Sequence, residues 1–288
     1  MRITNNRNLP APIYTAILAN PYSRGGSDIS VTDLIDPPRL VALRERHSDN
    51  IVVDASDQIW SLMGQAMHTI LERSGIKSGK GDTESRLYMP VDDWLVSGQF
   101  DYIDEEGVLW DWKFVSVYEY INGLRASRVR QLNLYALLAS HADMHINGLR
   151  VGYIFRDWSP RSAAQDPSYP QAQAMELDIN RWELSETQAF LEDRVKLHKQ
   201  AQSAVAQGQE PVECTPEERW AKPDTWAVIK AKNKRATKVL PTQEQADLYA
   251  AQDKTLRVEY RPGESTRCKY YCPVLKWCNQ GMKEVYGV

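Results

Sequence analysis

Residues 94–115 read WLVSGQFDYIDEEGVLWDWKFV, and the fold turns on this stretch. Residues 94–103 have the composition of a strand, Asp104-Glu105-Glu106-Gly107 is a turn signal, and residues 108–115 form a second strand, so a hairpin is expected. Side chains alternate along a strand. Trp110, Trp112 and Phe114 therefore share one face, and Asp111 and Lys113 share the other. A carboxylate beside an ammonium on an otherwise apolar strand has two readings. One is a solvated ion pair on an exposed sheet face. The other is a site. Asp101 stands ten residues before Asp111, and hairpin geometry brings the two aspartates near each other. Neighbouring carboxylates repel unless a cation lies between them, and a divalent metal such as magnesium meets that need with one or two carboxylates, water and substrate phosphate. Lys113 on the same face suits orienting a water or steadying charge on a reacting phosphate.

Outward from the hairpin, residues 56–74 read as a helix in which Trp60, Met63, Met67, Ile70 and Leu71 recur on one side. Gly64, His68 and Glu72 lie at i, i+4 and i+8 on one face. A mid-helix glycine costs about 1 kcal/mol relative to alanine, which predicts the close approach of another segment at Gly64. His68 is either a structural histidine or a metal ligand. Glu84, shortly before the first strand, is a candidate to assist the metal. Residues 121–140 form a helix with Gln131 and Tyr135 one turn apart, preceded by Arg125, Arg128 and Arg130, which serve either phosphate contacts or a solvated face. Residues 30–46 read as helix, turn at Pro37-Pro38, and helix; residues 148–156 as a strand; residues 185–206 as a long polar helix; and residues 242–252, TQEQADLYAAQ, as a capped helix.

The composition bounds the function. The chain has 288 residues, 42% hydrophobic and 25% charged, with formal net charge −3. That is globular composition, and it excludes a uniformly basic nucleic-acid coat; any DNA contact must come from local basic patches. No apolar stretch reaches membrane-spanning length and the first twenty residues lack the apolar core of a secretory signal, so a cytoplasmic protein is expected. There is no Gly-x-Ser-x-Gly elbow and no Gly-x4-Gly-Lys-Ser/Thr loop, which sets aside a serine hydrolase and a fused helicase motor.

The order Gly64-x3-His68-x3-Glu72, Gly98-x2-Asp101, Asp111-x-Lys113, Gln131-x3-Tyr135 resembles the RecB-type branch of the PD-(D/E)XK nucleases. It is especially similar to the iron-sulfur nucleases related to the CRISPR-associated adaptation exonuclease and to their phage-encoded relatives. The resemblance implies an α/β, restriction-endonuclease-like mixed β-sheet core flanked by helices. It implies that His68, Asp101 and Asp111 ligate a catalytic magnesium or manganese, with the backbone carbonyl of Trp112. Lys113 would be the catalytic lysine, and Gln131 and Tyr135 would help hold the DNA strand and that lysine. Many relatives carry Glu where this chain has Asp111. The implied activity is a DNA exonuclease that processes single- or double-stranded ends for recombination or replication, alongside proteins of those pathways, in the host cytoplasm if phage-encoded, with an oligomer left open. The alternative is a catalytically silent nuclease-like module that binds DNA or a partner.

All four cysteines, Cys214, Cys268, Cys272 and Cys278, fall in the last 75 residues. Four clustered cysteines in a reducing compartment suit a metal more than disulfides, and both a structural zinc and a four-iron iron-sulfur cluster are open. In the family resembled, the first cysteine precedes the active-site motifs, whereas Cys214 follows them. The expected organisation is a nuclease core over 1–206 and a cysteine-containing metal-binding region over 207–288. Within the latter, Lys230, Lys232, Lys234, Arg235 and Lys238 form a basic stretch, either a phosphate-tracking surface or a solvated strand face on which strand alternation would align Lys230, Lys232 and Lys234.

Overall fold

The computed structural model describes residues 1–19, 24–78, 82, 83 and 85–288, with side chains outside 75–84; Glu84 lies outside the described residues. The chain divides into two compact units, one of Met1–Asp36 with Val52–Lys199, the other of Pro37–Ile51 with Gln200–Val288. The second unit thus takes in residues 37–51 besides the C-terminal region.

The first unit is a mixed α/β structure with helices flanking its sheets, as the sequence led us to expect. Its principal elements are helix α1 (Ile59–Ser78), strands β1 (Arg86–Val91), β2 (Trp94–Gln99), β3 (Tyr102–Ile103) and β4 (Val108–Val115), helix α2 (Ala126–His141), strands β5 (Gly148–Phe155) and β6 (Ala174–Asp178), and helix α3 (Leu184–Ala206), which runs past the unit boundary. A five-stranded sheet runs in the order β6-β5-β4-β3 and then Asp82–Thr83. Its β4–β5 pair is parallel, with α2 in the crossover, and its other pairs are antiparallel. A smaller sheet places β2 between Ile29–Ser30 and β1. The core gathers on α2, where Leu132, Leu134 and Leu138 are fully buried, and on Leu109, Val151, Tyr153 and Phe155 of the sheet.

The single strand expected over 94–103 is two. It breaks at Phe100 and Asp101, and β2 and β3 belong to different sheets. The break has a physical cause on both sides. Phe100 is buried in the core, and Asp101 leaves the strand to accept a hydrogen bond from the Trp112 amide at 2.7 Å.

On β4 the expected alternation holds, and it resolves the two readings of its charged pair. The Leu109 and Asp111 side chains face the interior, and Asp111 is 2% exposed, so the pair with Lys113 is no solvated surface bridge. On the other face Trp110 and Trp112 stack at 5.0 Å, with the Arg150 guanidinium 4.9 Å above the Trp110 ring. The Trp112 ring covers Gly152, its partner on β5; a Cβ there would lie 2.2 Å from the indole.

Helix α1 corrects an expectation. Its apolar residues are not a core face: Trp60, Met63 and Ile70 are 53%, 44% and 57% exposed. Trp60 instead tilts against Phe114 of β4 at 6.4 Å and takes the Arg156 guanidinium on its ring at 4.4 Å. Nothing lies within 4 Å of a Cβ built at Gly64, so among the described residues no segment makes the close approach predicted there.

In the second unit, strands β7 (Thr225–Lys230), β8 (Ala236–Leu240) and β9 (Leu256–Arg261) form an antiparallel sheet in the order β8-β7-β9. Helix α4 (Gln243–Ala250) precedes β9, and its expected cap is present: the Thr242 side chain accepts from the Gln245 amide. Helix α5 (Asn279–Tyr286) closes the chain with Cys278 at its N-cap. Residues 31–34 and 38–46 are the two short helices expected around Pro37-Pro38. Among the described residues, no helix is long and apolar enough to cross a membrane.

Candidate active site

Strand β4 carries the centre of the site. The β3–β4 register pairs Tyr102 with Trp110, and one step further along sets Asp101 across from Asp111. The Lys113 ammonium is 2.5 Å from Asp111 Oδ2. That oxygen is buried and has no hydrogen-bond partner of proper geometry among the described residues, and the Lys113 ammonium is the group that holds it. Burial pushes the Asp111 carboxyl above its ordinary range, and the Lys113 ammonium opposes the shift. Asp101 uses both oxygens: Oδ2 takes the Trp112 amide, and Oδ1 lies 3.2 Å from His68 Nδ1. The hydrogen bond to Asp101 raises the His68 imidazole above its ordinary pKa despite partial burial. Helix α1 thus delivers His68 to the sheet edge at the break after β2.

Helix α2 supplies the other wall. Gln131 and Tyr135 are buried, and Gln131 Nε2 donates to Tyr135 Oη at 2.8 Å. Burial and the nearby Asp111 carboxylate raise the phenol, while Gln131 and Thr32 hydrogen-bond it. Gly98 on β2 makes room for this tyrosine. A Cβ at Gly98 would stand 2.9 Å from the Tyr135 ring and 3.1 Å from Leu138, which gives the Gly98-x2-Asp101 spacing a steric reason.

The structure therefore brings His68, Asp101, Asp111, Trp112, Lys113, Gln131 and Tyr135 into one neighbourhood. Trp112 enters it through its amide N–H. The arginines of 125–130 are engaged elsewhere: Arg125 and Arg128 both bridge to the buried Glu119, at 3.3 and 2.9 Å, and Arg130 lies 6.0 Å over the Phe190 ring. Sequence spacing did not single out Glu119 or Tyr153. Tyr153, paired in register with Lys113, keeps a buried hydroxyl without a hydrogen-bond partner among the described residues. Their roles depend on a helix-to-sheet contact that no local pattern encodes.

As they stand, the donors are turned onto one another. No set of three or more His, Cys, Asp or Glu side chains among the described residues converges on one ion. The chemistry of the set nonetheless fits a hard divalent cation: two carboxylates, one of them with a buried oxygen lacking a hydrogen bond, and an imidazole beside them.

The second unit holds a separate centre. Cys214, Cys268, Cys272 and Cys278 line one pocket together with Arg39, Arg219 and Arg267. Arg39, 3% exposed, donates through Nε to Cys278 Sγ at 3.1 Å and binds Pro211 O and Glu210 with its other nitrogens. The Gly281 amide also donates to Cys278 Sγ, at 3.3 Å. Gln280 locks the Cys214 backbone by a reciprocal pair of hydrogen bonds, 2.8 and 2.9 Å. Burial pushes the Cys214 thiol up to about 12 and the Cys268 thiol up to about 11. Four thiols beside three guanidinium groups fit an occupant that replaces their protons and leaves net negative charge.

No family model matches this chain, and no curated protein matches it. Among solved structures it is similar to SSO0001, at 19% identity and a TM-score of 0.44, over 65% of this chain and 83% of that one. It is also similar to a phage related exonuclease from Haemophilus somnus 129PT, at 12% identity and a TM-score of 0.34, over 52% of this chain and 74% of that one. Both likenesses are distant, and the chemistry of the site is taken from its own residues.

Proposed function

We propose that this protein is a metal-dependent DNA nuclease, an exonuclease of the RecB-like PD-(D/E)XK type that processes DNA ends. The observation that carries the reading is the buried Asp111–Lys113 pair on β4 with Asp101 and His68 beside it. Burying a carboxylate costs several kcal/mol, and a merely structural strand would keep a leucine there.

Asp101, Asp111 and His68 would hold magnesium or manganese, with the Trp112 carbonyl as a further ligand. When bound, the metal supplies Lewis acidity toward the scissile phosphate and an acidified water. The chain's own groups do the rest. Lys113 compensates Asp111 and is placed to donate to a phosphate oxygen or to orient the attacking water as negative charge grows. The Gln131–Tyr135 hydrogen bond fixes the wall of α2 behind this pair. Asp101, anchored by the Trp112 amide, cannot swing away from β4.

In the second unit the four cysteines would hold a four-iron cluster or a structural zinc. They share one pocket, yet no three converge on a single ion. Four thiolates match either occupant: one on each iron of a cluster, or all on one zinc. The centre would stabilise its own unit and take no part in phosphodiester cleavage.

The test is cleavage of end-labelled linear single- and double-stranded DNA with magnesium, with manganese and with chelator. We expect metal-dependent degradation by the wild type and a loss of roughly a thousandfold or more in Asp111→Ala and Lys113→Ala. Folded, metal-supplied wild type that leaves both DNAs intact would overturn the reading in favour of a silent binding module.

A further inference from the structure

We propose that the β7–β8 hairpin of the second unit is a grip for the phosphate backbone of a nucleic acid. Between Asp224 and Glu244 the chain has no acidic residue, and it carries Lys230, Lys232, Lys234, Arg235 and Lys238. All five are exposed. Several cations elsewhere in this chain are paired: Arg125 and Arg128 with Glu119, Arg150 with Asp178, Lys199 with Asp93, Arg219 with Glu284, Lys269 with Glu264. None of the hairpin cations forms an ion pair among the described residues. Lys238 rests 4.9 Å over the Tyr249 ring, and Lys230 feels the charge of Asp253 without bridging to it.

The concentration has no structural use. What holds the hairpin is Ala227, Val228 and Ile229, fully buried on the central strand of three. Where β7 passes from Val228 to Ile229, β8 skips Thr237, a bulge that bends β8. Lys230, Lys232, Lys234 and Arg235 sit beyond this anchor, and Lys238 stands opposite Val228 in the ladder. Residues 231–235 form the turn, so strand alternation does not align Lys232 and Lys234 with Lys230; they splay around the tip instead. Like charges held this close repel and lower stability unless a polyanion offsets them.

The composition of the tip chooses the partner class. Between Lys230 and Lys238 the other residues are Ala231, Asn233, Ala236 and Thr237. A protein interface is anchored by buried aromatic or large apolar side chains, and the tip has none. Nucleic-acid backbone is bound by charge alone, through release of condensed counterions. The choice of nucleic acid rests on the nuclease reading; Arg125 and Arg128, beside its active site, are already held by Glu119.

The experiment measures binding without cleavage. In full-length Asp111→Ala protein, Lys230, Lys232, Lys234, Arg235 and Lys238 are all changed to Gln, and fluorescence anisotropy with labelled single-stranded and duplex oligonucleotides is followed against salt. We expect at least a thirtyfold loss of affinity at low salt, and a salt slope shallower by about 3 on single strands, at about 0.7 per lost phosphate contact. Arginine at the four lysine positions should restore binding, and Lys196→Gln with Lys283→Gln should leave it unchanged. Unaltered affinity and slope in the five-substituted, folded protein overturns the proposal. So does equally tight hairpin-dependent binding of a polyglutamate chain, which would assign the surface to an acidic protein. Wild-type cleavage is assayed in parallel. Hairpin-dependent binding by a wild type that does not cut removes the nuclease reading alone; cutting with hairpin-independent binding removes this one alone.

Discussion

At the scale of single residues, the site depends on space as much as on charge. Gly98 is needed because Tyr135 occupies the volume its side chain would fill. Gly98→Ala should destabilise the protein by about 1–3 kcal/mol, read as a lower urea midpoint with an unchanged slope; an unshifted midpoint would mean that Tyr135 and Leu138 give way freely. Asp111 and Lys113 were legible from spacing because they sit on a regular strand, where position fixes face, and Asp101 because the hairpin register sets it across from Asp111. Gln131 and Tyr135 were legible for the same reason on a helix. The arginines of 125–130 were not, since their common partner Glu119 precedes them across the 122–125 turn and its burial depends on the finished core. Arg39 is further from any local signal, meeting Cys278 across 239 positions of sequence.

At the scale of elements, helix α3 shows how a polar helix can be tied down. Arg194 donates to the carbonyls of Leu34 and Asp36, and His198 Nε2 lies 3.0 Å from the Leu34 carbonyl. Burial and the neighbouring Arg194 charge lower the His198 pKa to about 4. The folded state therefore holds this ring neutral where the unfolded chain would protonate it. Its contribution is intact above the unfolded value near 6.5 and is lost as pH falls toward 4, a loss of about 3 kcal/mol at most. Urea unfolding of wild type and His198→Asn between neutral and mildly acidic pH should show the wild type losing more stability; parallel losses would assign the acid limb to other groups. Strands β4 and β5 and helices α3 and α4 were readable nearly to the residue, because their periodicity and caps are local. The break after β2 was not, because residues 94–103 keep strand composition straight through it. The burial of Phe100 and the demand of Asp101 for the Trp112 amide divide them. The apolar stripe of α1 misled for the opposite reason: periodicity reports that a face is apolar, not that something covers it.

At the scale of the whole molecule, the two units carry different chemistry, hard oxygen donors in the first and thiols in the second. Cys272→Ala should lower bound iron or zinc per chain, measured by elemental analysis, and lower solubility, with the Asp101–Asp111 centre of the first unit intact in whatever protein stays folded. Unchanged metal content in a stable variant would remove Cys272 from the ligand set. The Trp112 ring over Gly152 has a consequence for how the first unit reaches its structure. Parallel strands such as β4 and β5 find each other late, across a long crossover. A slip of two residues would keep every side chain on its proper face, so hydrophobic patterning cannot reject it. Such a slip would set the indole over Arg150 or Ile154, where a side chain stands in place of a hydrogen atom. The glycine acts as a proofreading mark: of the true alignment and the two that lie a pleat to either side, one closes and the others stay ajar, free to come apart and be tried again.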